Sequence, residues 1–308
     1  MSLARRALVR ASRSAWLARQ LRQRAFFRRA VRRFLPGEDL DAALEAAAQF
    51  APAGIGSVLT ELGEQVTTPA EAQAVRDHYL DVLRQISQRA LPAQISVKLT
   101  HLGLDAGRDQ CSANLRALTA RAAETAPGSV VWIDMEESRY VDATLDLFRR
   151  ARAERPNVGV CLQSYLRRTP ADLDMLLPLN PAIRLVKGAY SEPPAIAFPK
   201  KQDVDAQYLV LAGRLLEHVP AGARPVFGTH DVGLIERIRA RAADLRVAPS
   251  DWEIHMLYGI RSAEQRTLAA AGCRVRVLIS YGSAWFAWYM RRLAERPANL
   301  WFVVRNII

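Results

Sequence analysis

The predicted fold is decided between residues 130 and 188, which contain Val130-Val-Trp-Ile-Asp-Met-Glu136, Val158-Gly-Val-Cys-Leu-Gln163 and Ile183-Arg-Leu-Val-Lys-Gly188. Helix-compatible segments at 142–155 and 169–177 separate these three apolar runs. Short apolar runs with β-branched residues predict buried strands, and the longer amphipathic segments between them predict helices. Strands that alternate with helices in this way are typical of a parallel sheet.

The same alternation extends over most of the chain. Further helices are predicted at 68–89, 206–218 and 263–271, and further strands at Ser57–Leu62, Ile95–Thr100, Pro225–His230, Trp252–Leu257 and Arg274–Ser280. Eight strands alternating with helices over about 250 residues predict an α/β fold, a TIM-like (β/α)8 barrel. The main alternative is a doubly wound sheet, which usually carries Gly-x-Gly-x-x-Gly after its first strand. That motif and the Gly-x-x-x-x-Gly-Lys loop are absent, which favours the barrel.

Polar residues alternate with apolar ones along several predicted strands. Alternate side chains of a strand share a face. The sets that share a face are Ser96, Lys98 and Thr100; Trp132, Asp134 and Glu136; Glu253, His255 and Leu257; and Arg274, Arg276, Leu278 and Ser280. We expect these faces inside the barrel, with the polar residues toward its C-terminal rim, where barrel active sites form.

The net charge of +12 is concentrated in an N-terminal arm, residues 1–37, which holds eleven arginines and no acidic residue. Residues 38–308, the predicted barrel domain, are therefore close to neutral, which argues against nucleic-acid binding. Leu17, Leu21, Phe27, Val31 and Phe34 recur at helical spacing among the arginines. They indicate a basic amphipathic helix that contacts an anionic membrane surface peripherally. Packing of the arm on its own barrel or on a partner subunit, and a mitochondrial transit peptide, are the alternatives.

Localisation follows from what the sequence lacks. Three cysteines are too few for a disulfide framework. No stretch reaches the length of a membrane span, and the arm lacks the apolar region of a secretory signal. We expect a cytoplasmic protein, peripheral on the inner membrane surface if the arm binds lipid, or on the mitochondrial matrix side in a eukaryote.

The segment from Tyr281 to Asn299 predicts a helix over 284–296, capped by Ser283 and ended by Pro297. Arg291 and Arg292 lie about 100° apart on it. Two guanidinium groups on one helix suit a carboxylate ligand. An ordinary charged face, with Glu295 paired to Arg291, is the alternative.

Taken together, several motifs resemble the proline dehydrogenase family. They are Ser96-Val-Lys-Leu-Thr100, Trp132-Ile-Asp-Met-Glu-Glu-Ser138, Gln163, Arg184-Leu-Val-Lys-Gly-Ala-Tyr190, Gly228-Thr-His-Asp231, Glu253-Ile-His-Met-Leu-Tyr-Gly-Ile-Arg261 and the Arg-Arg-Leu-Ala-Glu-Arg run of the last helix. The similarity runs from about Leu40 to the C-terminus. It implies an FAD-dependent oxidation of L-proline to Δ1-pyrroline-5-carboxylate, with hydride passing from proline C5 to flavin N5 and electrons passing on to a quinone. It also implies coupling to a pyrroline-5-carboxylate dehydrogenase.

The resemblance also implies residue roles. Lys98, Asp134 and Arg184 would be catalytic, with Lys98 on the substrate carboxylate and Arg184 near flavin N5. The substrate pocket would comprise Lys98, Tyr190, Leu185, Leu257, Leu278, Arg291 and Arg292. FAD would contact Asp134, Gln163, Arg184, Val186, Lys187, Gly188, Ala189, Thr229, His230, Asp231 and His255. Independently of the resemblance, we expect Glu64, which comes just after the first predicted strand, to close the site by pairing with an arginine of the last helix. No metal is expected.

Two positions depart from the family pattern. Leu278 stands where the family usually has a tyrosine against the substrate ring, and His255 stands where glutamine is common. The Leu278 change leaves open a hydroxylated or N-substituted proline as substrate. A non-enzymatic alternative is a degenerate barrel that associates with membranes through its arm. A phosphate-binding barrel lyase lacks support, because the expected Gly-rich turns after the seventh and eighth strands are missing.

Overall fold

The computed structural model describes residues 31–126 and 128–285. Eight parallel strands form a closed barrel in chain order. The strands are β1 (Gly56–Glu61), β2 (Ala93–Val97), β3 (Val131–Ile133), β4 (Val158–Gln163), β5 (Ala182–Val186), β6 (Arg224–Gly228), β7 (Glu253–Leu257) and β8 (Arg274–Tyr281). The predicted (β/α)8 fold is confirmed.

Closure depends on the pairing of the last strand with the first. Six residue pairs join β1 to β8, from Gly56 opposite Arg276 to Glu61 opposite Tyr281. No edge of the sheet then remains open, and polar side chains on the inner face of each strand converge on one axis.

Helices surround the barrel. They are α1 (Leu40–Phe50), α2 (Pro69–Gln88), α3 (Arg108–Thr125), α4 (Val141–Glu154), α5 (Thr169–Leu176), α6 (Lys201–Glu217), α7 (Val232–Asp244) and α8 (Ser262–Ala270). Local sequence starts several of them. The Asp39 carboxylate accepts a hydrogen bond from the amide of Ala42, and Thr68 caps α2 ahead of Pro69.

The predicted strand Ile95–Thr100 is too long at its C-terminal end. The structure ends β2 at Val97, and the amides of His101 and Leu102 both donate to the carbonyl of Lys98. A tight turn therefore replaces the last three predicted strand residues. Likewise β3 is only Val131–Ile133, although Val130–Glu136 was predicted. Both strands end early because their following residues turn over the C-terminal rim.

Two apolar layers fill the molecule. The larger lies between strands and helices. The smaller occupies the barrel interior and comprises Val58, Val130, Trp132, Ala182 and Val226, with Leu278 packed against it. These residues come mainly from the N-terminal parts of their strands. Side chains thus fill the N-terminal part of the barrel interior, and its C-terminal part is left for a site.

The end of the arm packs on the barrel. Val31 and Leu35 are buried, and a Cβ atom on Gly259 would lie 1.6 Å from the carbonyl oxygen of Arg33. Gly259 has a φ of +72°, so this close approach after β7 requires glycine. Leu17, Leu21 and Phe27 lie outside the described residues. In the described ranges, no helix is long and apolar enough to cross a membrane.

Candidate active site

A cavity of about 620 Å³ opens at the C-terminal ends of the strands. Most of the predicted site residues line it. They are Lys98, Asp134, Gln163, Arg184, Val186, Lys187, Gly188, Ala189, Tyr190, Thr229, His230, Asp231, His255, Leu257 and Leu278. The cavity lies where the barrel fold places active sites.

Arg184 on β5 is the centre of the polar network beneath the cavity. Its Nη2 donates to the Asp134 carboxylate and, over 2.7 Å, to Ser96 Oγ, while its Nε donates to Cys161 Sγ. The guanidinium carbon also lies 5.2 Å from the centroid of the Trp132 ring. Only 2% of Arg184 is exposed, and its Nη1 is buried without a hydrogen-bond partner among the described residues. A buried donor without a partner costs free energy unless a ligand satisfies it.

The ammonium of Lys98 is a second available cation. Lys98 follows β2 and lines the cavity. It forms no ion pair or hydrogen bond with a side chain in the part of the chain that the structure describes. The Lys98 ammonium is therefore available for an anionic ligand.

The wall formed by the end of β5 is shaped by glycine. Gly188 has a φ of +107°, and a Cβ atom there would lie 2.1 Å from the Tyr165 ring. On the neighbouring strand β4, Gln163 donates to the carbonyl of Met135, while its Oε1 is buried without a partner among the described residues. The cavity lining thus includes a hydrogen-bond acceptor, Gln163 Oε1, and a donor, Arg184 Nη1, that have no partner among the described residues.

A network of two lysines and two aspartates borders the cavity near β6. The Lys187 ammonium lies 2.6 Å from Asp205 and 3.2 Å from Asp231, and Lys201 pairs with the same two carboxylates. Sequence reasoning identified Lys187 and Asp231 but missed Lys201 and Asp205. Their i,i+4 spacing on α6 was the available signal.

His230 and His255 have different surroundings. The Nε2 of His230 accepts a hydrogen bond from the amide of Leu257, which joins the ends of β6 and β7. The ring of His255 lies edge-on to Trp132, and its Nε2 is 3.3 Å from Glu253. Burial lowers the pKa of His255 to about 4, so this imidazole is neutral at pH 7.

Comparison with known proteins agrees with this geometry. The family model for proline dehydrogenase matches residues 43–305. The chain is 34% identical over 278 residues to Proline dehydrogenase 1 of Bacillus subtilis subsp. natto, covering 90% of each. It is 36% identical over 281 residues to the proline dehydrogenase of Deinococcus radiodurans, covering 90% of this chain and 89% of that protein.

The chain belongs to the proline dehydrogenase family.

It is therefore an oxidoreductase, as predicted. A solved structure of proline utilization A from Bdellovibrio bacteriovorus, inactivated by N-propargylglycine, is similar with a TM-score of 0.82 and 24% identity. The match covers 95% of this chain and 36% of that longer protein, so it supports the fold alone.

Two of the predicted site residues that the structure describes, Leu185 and Glu64, are not among the residues that line the cavity. Leu185 does not line it, because the alternation along β5 directs Arg184 and Val186 inward and Leu185 into the outer core. Its assignment to the substrate pocket is corrected accordingly. Glu64 lies after β1 and is also not among the lining residues. Arg291 and Arg292 lie outside the described residues.

Tyr281 is not among the residues that line the cavity. Its hydroxyl lies 2.8 Å from Nε2 of His78 on α2, on the outside of the barrel. Sequence reasoning missed Cys161 and Thr60, which also line the cavity, whereas Ser280 lines it as its strand face predicted. The inward parity of β1 and β4 could have identified Thr60 and Cys161.

Proposed function

We propose that this protein is an FAD-dependent dehydrogenase that oxidises L-proline to Δ1-pyrroline-5-carboxylate. Membership of the proline dehydrogenase family supports the reaction. The observation that carries the proposal for this chain is the pair of available cationic donors, Arg184 Nη1 and the Lys98 ammonium, in one cavity over a buried network. Arg184 Nη1 suits a hydrogen-bond acceptor of a polar ring system, and the Lys98 ammonium suits a carboxylate.

The residues present fit a flavin. An isoalloxazine ring carries several hydrogen-bond acceptors and one imide donor. The unpartnered donor Arg184 Nη1 would match one of the ring acceptors, and the unpartnered acceptor Gln163 Oε1 would match the imide donor. The segment Val186–Ala189, with Gly188 in its left-handed conformation, and Thr229, His230 and Asp231 would hold the remainder of FAD. Bound FAD supplies the two-electron acceptor that the protein side chains lack.

The substrate is held by its carboxylate and its ring. Lys98, together with Arg291 and Arg292, would bind the carboxylate, and Tyr190, Leu257 and Leu278 would enclose the ring. The substrate must bind with a neutral amine, since the nitrogen lone pair assists removal of hydride from C5. Fixing the carboxylate directs C5 toward the redox centre, and such orientation supplies much of the barrier reduction. The Arg184 cation stabilises negative charge that develops beside it.

A second substrate class is favoured by one position. Leu278 packs against the Trp132 cluster and lines the cavity. It provides an apolar branched wall where the family usually has a phenol. A hydroxylated or N-substituted proline is therefore the alternative substrate.

Three further proposals concern partners. A quinone would reoxidise the enzyme, and the basic arm would hold it at an anionic membrane surface. A pyrroline-5-carboxylate dehydrogenase would consume the product. The burial of Val31 and Leu35, with the carbonyl of Arg33 packed against Gly259 after β7, supports an arm anchored to the barrel.

An anaerobic titration of purified holoenzyme with L-proline tests the central proposal. We expect the visible absorbance of oxidised flavin to be lost stoichiometrically. In Lys98→Met, half-reduction should need at least about tenfold more proline, because a charge-assisted hydrogen bond is lost. Flavin that L-proline leaves oxidised, but that hydroxyproline reduces, would establish the second substrate class. A colourless protein that binds no added FAD would contradict both.

A further inference from the structure

We propose that Glu136 is a positioning residue for substrate binding, which acts through Thr100 on the turn that carries Lys98. This inference rests on the proposed function, in which Lys98 binds the substrate carboxylate. Glu136 follows β3 and does not line the cavity.

The contact between Glu136 and Thr100 is buried and has two parts. The amide of Thr100 donates to Oε1 of Glu136 over 3.1 Å, and its hydroxyl donates to Oε2 over 2.6 Å. Glu136 is 3% exposed and Thr100 is fully buried. One carboxylate thus fixes both the backbone and the side chain of Thr100, two residues after Lys98.

The same turn joins a second loop of the rim. The carbonyl of Thr100 accepts a hydrogen bond from the amide of Val66, which follows β1. The ring of the adjacent His101 lies under Gly63, where a Cβ atom would come within 2.1 Å of Nε2. Glu136 therefore links the end of β3, the Lys98 turn and the loop that carries Glu64.

The outer side of the turn is held by neutral groups. Cys111 Sγ on α3 contacts the carbonyl of Leu99, and Asn114 Nδ2 donates to the carbonyl of Leu102 over 3.0 Å. Glu136 accepts the hydrogen bonds that both the amide and the hydroxyl of Thr100 donate. Loss of its acceptors would leave a buried amide and hydroxyl unsatisfied, so the turn would shift to reach other partners. Lys98 would shift with it.

Burying the carboxyl group of Glu136 carries a cost in free energy. Burial raises the pKa of Glu136 to about 7, although the Thr100 hydrogen bonds and the nearby Lys98 charge oppose this rise. An uncharged residue would avoid that burial cost. A carboxylate that accepts from two donors of one residue gives a fixed geometry, which suits a turn that must present a ligand-binding ammonium.

Two variants of Glu136 and one of Thr100 test this role in FAD-loaded enzyme. Glu136→Ala removes both acceptors, whereas Glu136→Gln keeps an amide oxygen for the Thr100 amide, and Thr100→Val removes the hydroxyl alone. We expect KM for L-proline to rise about tenfold in Glu136→Ala and Thr100→Val, with kcat changed less than about threefold. Glu136→Gln should stay within about threefold of the wild type in both constants.

A readout without turnover separates this inference from the proposed function. Cyclopentanecarboxylate has the ring and carboxylate of proline but no amine, and its Kd can be measured from the perturbed flavin spectrum. We expect Kd to rise about tenfold in Glu136→Ala, but less than about threefold when the same change is made in Lys98→Met, because the effect passes through Lys98. Asp172→Asn alters another buried carboxylate, on α5, which pairs with Arg168 and does not line the cavity; it is the matched control and should leave KM and Kd unchanged.

Several outcomes would overturn the proposal. They are unchanged KM and Kd in Glu136→Ala and Thr100→Val, an equal effect of Glu136→Ala with and without Lys98, or a fall in kcat as large as the rise in KM. If Glu136→Ala does not fold, Thr100→Val decides. If L-proline fails to reduce the wild type, the proposed function fails, while the Kd series still tests the role of Glu136.

Discussion

The two ends of the barrel interior both bury charged residues, but they treat them differently. At the floor, the N-terminal end, Glu253 accepts from Arg276 Nε over 2.7 Å and lies 2.8 Å from Arg274 and 3.3 Å from His255. Toward the rim, the C-terminal end, Lys98 has no ion-pair partner among the described residues, and Arg184 pairs with Asp134 through Nη2 but leaves its Nη1 without a hydrogen-bond partner there.

Two buried glutamates show what this difference does. Glu253 and Glu136 are 5% and 3% exposed. Burial acts to raise the pKa of both. At the floor, His255 and the two arginines outweigh it and hold the pKa of Glu253 well below its ordinary value. At the rim, the Thr100 hydrogen bonds and the Lys98 charge do not outweigh the effect of burial, and the pKa of Glu136 is raised to about 7. At the floor, the buried Glu253 carboxylate is paired with arginines. Toward the rim, the Lys98 ammonium and Arg184 Nη1 remain available to bind a ligand.

The largest expected effect is on turnover. Arg184→Lys keeps a positive charge but loses the planar fork that contacts Asp134, Ser96 and Cys161. We expect kcat to fall roughly 10³-fold, which is the order seen when an electrostatic donor in an active site is removed. Arg276→Lys makes the same change at the floor and should lower Tm with little change in kcat. Rapid-reaction measurements of flavin reduction give the effect of Arg184→Lys on the reaction, and thermal unfolding gives the Tm of Arg276→Lys. Similar kcat losses in both variants would end the distinction between rim and floor.

The floor should instead govern stability. Glu253→Gln removes the charge that Arg274 and Arg276 face, and we expect about 3 kcal/mol of destabilisation at pH 7. Because the folded pKa of Glu253 lies below its ordinary value, its stabilising effect is present above about pH 4.5 and lost as the pH falls below it. Urea unfolding of variant and wild type should therefore converge in acid. A constant difference from pH 7 to pH 3 would contradict this interpretation.

The rim glutamate predicts the opposite pH dependence. Since the folded pKa of Glu136 is raised, the folded state holds a proton that the unfolded state has lost between about pH 4.5 and pH 7. Stability should fall across that window by about 3 kcal/mol. The other titratable groups that interact electrostatically with this carboxyl group are Lys98, Glu64 and Cys111. Glu136→Gln should lack this dependence, so its stability relative to the wild type should rise from pH 5 to pH 8 in urea unfolding.

The smallest expected effect concerns selectivity. Leu278→Tyr restores a phenol to the cavity wall while leaving every charged group at the rim in place. We expect kcat/KM for L-proline relative to hydroxyproline to change by about tenfold, since one group in an apolar pocket contributes about 1–3 kcal/mol. Steady-state kinetics with both substrates measure it. An unchanged ratio would show that Leu278 does not contact the substrate ring.

Sequence reasoning placed all eight strands and most of the cavity residues, because strand periodicity and the family motifs both encode inward-facing positions. Val158–Gln163 was predicted with its observed bounds. The family resemblance assigned Leu185 to the substrate pocket, whereas the alternation of side chains along β5 directs it into the outer core, where the structure places it. The β2 boundary was missed because Lys98–Thr100 continues the apolar alternation while its backbone already turns.

By itself, the sequence determined the barrel, the family and the identity of the residues that meet at the C-terminal rim, since those depend on local periodicity and motif order. Which charges are paired was decided only by the tertiary structure. Glu253 meets Arg276 from the next strand, and Glu136 meets Thr100, 36 residues earlier in the chain. Such contacts depend on strand register and on where each turn begins. These features set burial and hydrogen-bond geometry, and hence which donors remain available to a ligand.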